Sequence, residues 1–139
     1  MKHKTPIQLR FKDIDKLGHV NNANYLTFFE LARVDYFQAV MGNKTIDWSI
    51  EGIIMATVEL TFKQPILLED EIFVYTWVSR TGTKSFDMSC SIVKVVNGTE
   101  VEVATGMTVL VCLNYKTGQT IEIPTLWKEK MEAYGKKLS

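Results

Sequence analysis

The chain has 139 residues, of which 46% are hydrophobic and 23% charged, which indicates one globular domain spanning residues 1–139. Its 16 basic and 16 acidic residues cancel, which excludes a global electrostatic field that would recruit nucleic acid or an anionic membrane. No apolar run is as long as a membrane span, and the first residues lack the apolar core of a signal peptide. We therefore expect a cytoplasmic protein without a nucleic-acid or membrane partner.

The first predicted elements are a strand and a long helix. Residues 5–12 alternate between apolar and polar side chains, which predicts a strand. Gly18 allows a turn, and the segment Asn22–Met41 has the pattern of a helix that ends at Gly42-Asn43. The apolar positions of this helix spread around most of its circumference, so we expect other elements to enclose it on nearly all sides.

The rest of the chain predicts an antiparallel sheet. Period-two alternation indicates strands at residues 53–65, 70–80, 85–97 and 100–115. Asn97-Gly98 is a strong hairpin signal, and short connections favour antiparallel neighbours. In the last strand, we expect one shared face to contain Val101, Val103, Met107, Val109 and Val111. Pro124 opens a short amphipathic C-terminal helix, so the predicted class is α+β, with five or six strands curved around one long helix.

The two cysteines do not indicate a metal site. Cys90 and Cys112 lie far apart, without the short spacings of metal ligands. Both fall in segments that resemble buried strands, so we expect small core side chains rather than a disulfide or a nucleophile. No metal or cofactor is predicted.

The most informative segment runs from Asp13 to Tyr25, directly before the long predicted helix. It contains two carboxylates, a glycine turn, an imidazole and a pair of asparagines. Groups that can attack or deprotonate therefore lie beside the unpaired N–H groups of a helix N-terminus, which favour negative charge. This arrangement suits acyl transfer or hydrolysis, whereas the structural alternative is helix capping by aspartate and asparagine.

The segment continues into a longer motif, Asp15-x-x-Gly18-His19-Val20-Asn21-Asn22-x-x-Tyr25-x-x-Phe28-x-Glu30-x-Ala32-Arg33. This motif resembles the 4-hydroxybenzoyl-CoA thioesterase branch of the hotdog-fold acyl-CoA thioesterases. The resemblance extends to residues 58–62, 106–113, 116–118 and 123–124, and so covers nearly the whole chain. It implies a hotdog fold and hydrolysis of a fatty or aromatic acyl thioester of CoA or of acyl carrier protein. It also implies a homodimer, whose two sheets join, or a homotetramer.

The resemblance implies roles for three residues of the motif. Asp15 falls on the catalytic aspartate, which either attacks the thioester carbonyl or deprotonates a water. Asn22 corresponds to the residue whose backbone N–H polarises that carbonyl. His19 is similar to the motif histidine of acyl-carrier-protein thioesterases, but Leu17 stands where that motif has an asparagine. His19 is therefore either catalytic or structural. The structural alternative for Asp15 is a carboxylate that only stabilises the helix N-terminus.

Further candidates for substrate contact lie within and around the motif, and one of them is an acidic residue on a strand. Asn21, Tyr25 and Phe62 are candidates for substrate contact, although core packing alone would account for the two aromatic rings. Glu59 lies on the strand expected to pass near the helix start, where related enzymes often have an acidic residue. Its alternative partners are Lys63 and solvent.

The predicted nucleotide contacts come from a hairpin. Arg80, Lys84 and Ser85 align with a family region that often contacts the nucleotide of CoA. Arginine and lysine both suit phosphate contacts. The alternative is an ordinary solvated hairpin.

Three functional classes are consistent with this pattern. The first is an acyl-CoA thioesterase, with an acyl-carrier-protein thioesterase as its variant. The second is a hotdog hydratase or dehydratase, but the sequence has no His-x-x-x-x-Gly-x-Pro run of the kind those enzymes carry. The third is a non-catalytic acyl-binding module, which the presence of Asp15 disfavours. We therefore expect a thioester hydrolase that acts on acyl-CoA.

Overall fold

A computed structural model describes residues 2–42 and 47–138. The elements are β1 (His3–Ile7), a short 3₁₀ turn (Phe11–Asp13), α1 (Asn22–Met41), β2 (Glu51–Phe62), β3 (Ile72–Thr81), β4 (Ser85–Val96), β5 (Thr99–Asn114), β6 (Gln119–Thr120) and α2 (Thr125–Leu138). They form one six-stranded sheet in the order β1-β3-β4-β5-β2, with β6 paired to β5. All of its strand pairs are antiparallel. The predicted α+β hotdog fold is confirmed.

The bounds of α1 are those that the sequence predicts. The side chain of Asn21 caps the helix by accepting a hydrogen bond from the Ala23 N–H at 2.9 Å. At the other end, Gly42 has a positive φ of 72°, and its N–H donates to the Gln38 carbonyl at 3.1 Å. Asn43, the second half of the predicted stop, lies outside the described residues.

The expectation that α1 is enclosed on nearly all sides is wrong for the single chain. One face of the helix is buried against the sheet and α2, through Tyr25, Phe28, Phe29, Ala32, Tyr36, Phe37 and Met41. On the other side, Leu31 and Val34 are 51% and 65% exposed. One sheet can cover only one side of a helix, so the apolar residues on the far side of α1 remain open.

The core consists of two clusters that contain one cysteine each. Cys90 lies in the cluster around the first half of α1, and Cys112 lies in the cluster between the end of α1 and α2. Both thiols are free and buried, and burial raises the pKa of each to about 11. The prediction of small core side chains is confirmed.

A bulge in β5 overturns the predicted shared face of that strand. Ile92 pairs with Ala104 while Val93 pairs with Glu102, so Val103 is an extra residue between two registers. A β-bulge of this kind reverses the alternation of side chains beyond it. The buried positions that follow the bulge are therefore Ala104, Thr108, Leu110 and Cys112, rather than Met107, Val109 and Val111.

Two predicted strands continue three or more residues past the observed strand ends. The first strand ends at Ile7 rather than continuing to residue 12, because the buried Asp13 accepts hydrogen bonds from the Arg10 N–H at 2.9 Å and guanidinium at 3.2 Å and so bends the chain. Strand β2 ends at Phe62, and residues 63–65 leave the sheet. Within the described ranges, no helix is long and apolar enough to cross a membrane.

Candidate active site

The segment that precedes α1 forms a tight loop closed by main-chain hydrogen bonds. Ile14 and Val20 form an isolated antiparallel bridge. Inside it, the Asp15 N–H donates to the His19 carbonyl and the Gly18 N–H donates to the Asp15 carbonyl, both at 3.0 Å. Gly18 has a φ of 83°, which glycine adopts without strain. The loop therefore holds Asp15 and His19 opposite each other.

Hydrogen bonds to two neighbouring segments anchor this loop. The Val20 N–H donates to the Ile66 carbonyl at 2.8 Å, which joins the loop to the chain that follows β2. The Asp13 carbonyl accepts from the Asn21 N–H at 2.9 Å and from the Asn24 side chain at 3.0 Å. The start of α1 and the loop that carries Asp15 are thus one hydrogen-bonded unit.

The Asp15 carboxylate is half-buried and oriented by two donors. Its Oδ1 accepts from the Leu17 N–H at 2.9 Å, and its Oδ2 accepts from the side-chain amide of Asn21 at 3.2 Å. Each carboxylate oxygen can accept two hydrogen bonds, so one position on each oxygen remains for a substrate or a water. Among the described residues, His19 makes no hydrogen bond to this carboxylate.

The first turn of α1 contains a backbone N–H, that of Asn22, without a hydrogen-bond partner among the described residues. The Ala23 N–H donates to the Asn21 side chain, and the Asn24 N–H donates to the Asn21 carbonyl, both at 2.9 Å. No hydrogen bond to the Asn22 N–H is present in the part of the chain that the structure describes. Asn22 therefore offers a free N–H at the positive end of the helix dipole.

A cleft of about 450 Å³ brings most of the predicted site residues together. The predicted residues that line it are Asp15, His19, Asn21, Asn22, Tyr25 and Phe62. The carboxylate of Asp15 and the start of α1 thus border the same space. This arrangement can hold a carbonyl compound between an anionic group and an N–H donor.

Five further residues line the cleft and were not predicted as site residues: Leu17 and Val20 of the loop, and Lys63, Gln64 and Pro65 after β2. The backbone N–H groups of Lys63 and Gln64 donate to the carbonyl of the bulge residue Val103, at 2.8 and 3.1 Å. The β5 bulge therefore folds the end of β2 over the cleft. A sequence signal for residues 63–65 was available, since they directly follow the predicted Phe62. The predicted strand 53–65, however, continues straight through the point where the chain turns away from the sheet.

Glu59 does not line this cleft. It lies exposed on β2, opposite Met107 of β5. Its predicted alternative partner, Lys63, forms an ion pair with Glu102 instead. The pKa of Glu102 is lowered by its hydrogen bond with Lys63 and then by the one from Ser91.

The predicted nucleotide-contact residues lie on the β3–β4 hairpin and not at the cleft. The Arg80 guanidinium donates to both carboxylate oxygens of Asp87 at 2.9 Å, and to the Ser85 hydroxyl at 3.0 Å. The hydrogen bonds with Asp87 raise the pKa of Arg80. Lys84 is exposed in the same hairpin. Within this chain, Arg80 therefore joins β3 to β4.

A second cavity, of about 540 Å³, lies along the later turns of α1 and includes Arg33, Phe37, Met55 and Tyr115 in its walls. Among the described residues, no carboxylate or imidazole lines this cavity, so we assign the candidate chemistry to the smaller cleft. In residues 2–42 and 47–138, no three His, Cys, Asp or Glu side chains cluster closely enough to hold a metal ion.

Comparison with known proteins identifies relatives with the same fold. Over 132 residues, the chain is 26% identical to the long-chain acyl-CoA thioesterase FadM of Escherichia coli (strain K12), which covers 93% of this chain and 96% of that protein. It is 34% identical to a Thermus thermophilus thioesterase solved with coenzyme A and Zn, with a TM-score of 0.79 over 94% of this chain and 91% of that one.

A 4-hydroxybenzoyl-CoA thioesterase solved with 4-hydroxybenzoyl-CoA has a TM-score of 0.82 over 94% of this chain and 98% of that one. Its identity to this chain is 18%, so that likeness shows the fold alone. The family model of the thioesterase-like superfamily matches residues 9–132, nearly the whole chain. This chain belongs to the thioesterase-like superfamily.

Proposed function

We propose that this protein hydrolyses acyl-CoA thioesters to a free acid and CoA, with Asp15 as its catalytic carboxylate. The observation that carries the proposal is that Asp15 and Asn22, whose N–H has no partner among the described residues, line one cleft. The membership of the thioesterase-like superfamily supports the reaction type. The names of the Escherichia coli and Thermus thermophilus relatives support CoA as the carrier of the acyl group.

In the proposed reaction, the ionised Asp15 acts in one of two ways. As a nucleophile, one carboxylate oxygen bonds to the thioester carbonyl carbon, the CoA thiolate leaves, and water then hydrolyses the mixed anhydride. As a general base, the same oxygen takes a proton from a water that attacks the carbonyl carbon directly, and the CoA thiolate leaves as the C–S bond breaks. Both routes require the unprotonated carboxylate and a free lone pair on it.

In this proposal, the N-terminus of α1 supplies partial positive charge that stabilises the thioester oxygen during the reaction. Negative charge develops on the thioester oxygen as the carbonyl carbon becomes tetrahedral, and the Asn22 N–H is assigned to that oxygen. A backbone donor of this kind typically lowers the barrier by about 3–4 kcal/mol. The helix dipole adds to the stabilisation without any charged side chain.

His19 is assigned a secondary role. His19 lines the cleft, and the two hydrogen bonds that orient the Asp15 carboxylate come from Leu17 and Asn21. We assign His19 to hold the attacking water or to protonate the departing thiolate. Both tasks require contact with the substrate side of the cleft rather than with Asp15.

A homodimer is part of the same proposal. Strand β2 pairs with β5 on one side only, so its other edge is open for a strand from a second copy. Exposed apolar side chains gather on β2 and on the open side of α1, namely Ile54, Met55, Val58, Leu31 and Val34. Joining two β2 edges would satisfy the open backbone groups and cover this apolar surface.

The test is thioester hydrolysis by the wild type and by Asp15→Asn. Free thiol is measured with acyl-CoA esters of increasing chain length and, in parallel, with acyl carrier protein charged with the same acids. We expect thiol release with acyl-CoA that falls at least about a hundredfold in Asp15→Asn. The carboxamide oxygen keeps one acceptor, so the unfolding free energy should change by less than about 1 kcal/mol.

Glu129→Gln is the matched control, because it removes one exposed carboxylate from α2, outside the cleft. Wild-type turnover in Asp15→Asn would reject the assignment of Asp15. Absence of thiol release by the wild type with every ester would reject the acyl-CoA hydrolase itself.

A further inference from the structure

The side chain of Asn21 connects the Asp15 carboxylate to the N-terminus of α1. Its Oδ1 accepts from the Ala23 N–H at 2.9 Å, and its Nδ2 donates to Asp15 Oδ2 at 3.2 Å. We propose that Asn21 is a positioning residue for the hydrolysis, which holds the Asp15 carboxylate at a set place relative to the Asn22 N–H. This inference rests on the proposed function, because it assigns Asn21 a task in the same reaction.

The orientation of the Asn21 carboxamide follows from its two partners. The Ala23 N–H can only donate, so it requires the oxygen of the carboxamide. The amino group must then face Asp15, whose ionised oxygens can only accept. In the reversed orientation, the amino group would face the Ala23 N–H and the amide oxygen would face the Asp15 carboxylate. Neither contact is a hydrogen bond, so the network selects one orientation.

The backbone of Asn21 is held as firmly as its side chain. Its N–H donates to the Asp13 carbonyl, and its carbonyl accepts from the Asn24 N–H, both at 2.9 Å. All four polar groups of Asn21 are therefore engaged within the loop and the first turn of α1. Because Asn22 is the next residue, the position of its N–H and the position of Asp15 Oδ2 depend on the same residue.

Helix capping alone would not require asparagine at this position. Serine and aspartate cap helices about as well as asparagine does. Only asparagine combines an acceptor for the Ala23 N–H with a donor that reaches the carboxylate. Aspartate at position 21 would cap the helix and would also oppose Asp15 with a second negative charge, which disfavours the ionised form of both. The capping role and the positioning role can thus be separated by substitution.

The sequence-based expectation for Asn21 was substrate contact, and the two roles predict different kinetics. Substituting a residue that only binds substrate raises KM and leaves kcat unchanged. Substituting a residue that positions the catalytic carboxylate lowers kcat. In addition, a change that disfavours ionisation of the carboxylate moves the acidic limb of the kcat profile to higher pH.

The experiment compares wild type, Asn21→Asp, Asn21→Ser and Asp15→Asn with one acyl-CoA ester across pH 4 to 9. Thermal unfolding of each variant checks the cap, which aspartate and serine both preserve. We expect Asn21→Asp to fold normally, to lose about tenfold or more in kcat, and to have the acidic limb of its kcat profile at higher pH than the wild type. Asn21→Ser should lose kcat without this shift of the acidic limb, since it removes the donor and adds no charge.

Ala23→Asp is the control for charge, because Ala23 is exposed in the first turn of α1 and does not line the cleft. Relative to the wild type, the acidic limb of the kcat profile should shift much less in Ala23→Asp than in Asn21→Asp. An equal shift in Ala23→Asp, wild-type kinetics in Asn21→Asp, or a rise in KM alone would each overturn the positioning role. Wild-type turnover in Asp15→Asn would instead overturn the proposed function on which it rests.

Discussion

The rings of Tyr25 and Phe62 meet edge to face, with their centroids 4.9 Å apart and their planes at 77°. This contact joins the first turn of α1 to the last residue of β2, and both rings line the cleft that contains Asp15. Tyr25 is 2% exposed and Phe62 is 44% exposed. Tyr25 is therefore anchored in the core, while Phe62 forms the accessible wall.

Replacing Phe62 should change the acyl-chain preference. Phe62→Ala removes the wall, and the loss of apolar contact for one or two methylene groups of the acyl chain, at about 0.8 kcal/mol each, corresponds to roughly four- to fifteenfold in kcat/KM. We expect kcat/KM to fall by that factor for the best wild-type chain length and to fall less for bulkier acyl groups. Steady-state kinetics over a series of acyl-CoA esters measures this change. Val96→Ala, at a similarly exposed hairpin position outside the cleft, is the control.

Replacing each of two glycines by alanine should change the unfolding free energy in opposite directions. A Cβ on Gly106 of β5 would lie 2.5 Å from Phe29 Cε2 and 3.2 Å from the Glu59 carbonyl oxygen. Gly106→Ala should therefore lower the unfolding free energy by about 1–3 kcal/mol. A Cβ on Gly135, within α2, would meet no atom of the described chain within 4 Å, so Gly135→Ala should raise it by about 0.5–1 kcal/mol. Urea unfolding measures both, and equal signs would contradict the packing argument.

Asp35 should contribute to the loss of stability in acid. Asp35 Oδ2 is 2.8 Å from His3 Nε2 and accepts from the Thr5 hydroxyl at 2.7 Å, which joins α1 to β1. Burial acts to raise the pKa of Asp35, but the hydrogen bonds with Thr5 and His3 outweigh it and leave this pKa below its ordinary value. The unfolded chain therefore binds the proton first, and stability falls as the pH decreases through about 4 and below.

Asp35→Asn removes this titration. The unfolding free energy, measured in urea from pH 6 to pH 3, should fall less steeply with decreasing pH in the variant than in the wild type. Glu100 and Glu102, whose pKa values are also lowered by their lysine partners, keep part of the slope in both proteins. Identical slopes would show that Asp35 does not contribute.

The proposed dimer can be tested on the open side of α1. Val34→Glu places a charge on a side chain that is 65% exposed in the single chain, so the monomer should fold normally. We expect a dimer for the wild type and a monomer for the variant in size-exclusion chromatography with light scattering, because burying an unpaired charge is costly. Leu126→Glu, at a 46% exposed apolar position of α2, should remain dimeric. A dimeric Val34→Glu variant would place the interface elsewhere.

The parts of the fold that depend on a few neighbouring residues could be predicted from the sequence. Asn21 and Gly42 set the bounds of α1 through a side-chain cap and a positive φ, and both signals lie within four residues of the helix ends. The Asn97-Gly98 hairpin is equally local, since both residues adopt the positive φ that a two-residue turn requires. Asp15 and Asn22 are in the same cleft because both belong to one short loop and the helix it opens.

The tertiary structure decided what depends on distant pairing. The bulge at Val103 set which side of β5 faces the core and brought Lys63 and Gln64 over the cleft, and neither follows from the alternation of a single strand. Arg80 paired with Asp87 because the register of β3 against β4 placed them together. A sequence displays capping and turn signals within a few residues, whereas register, bulges and the open side of α1 result from packing between segments that are far apart in the chain.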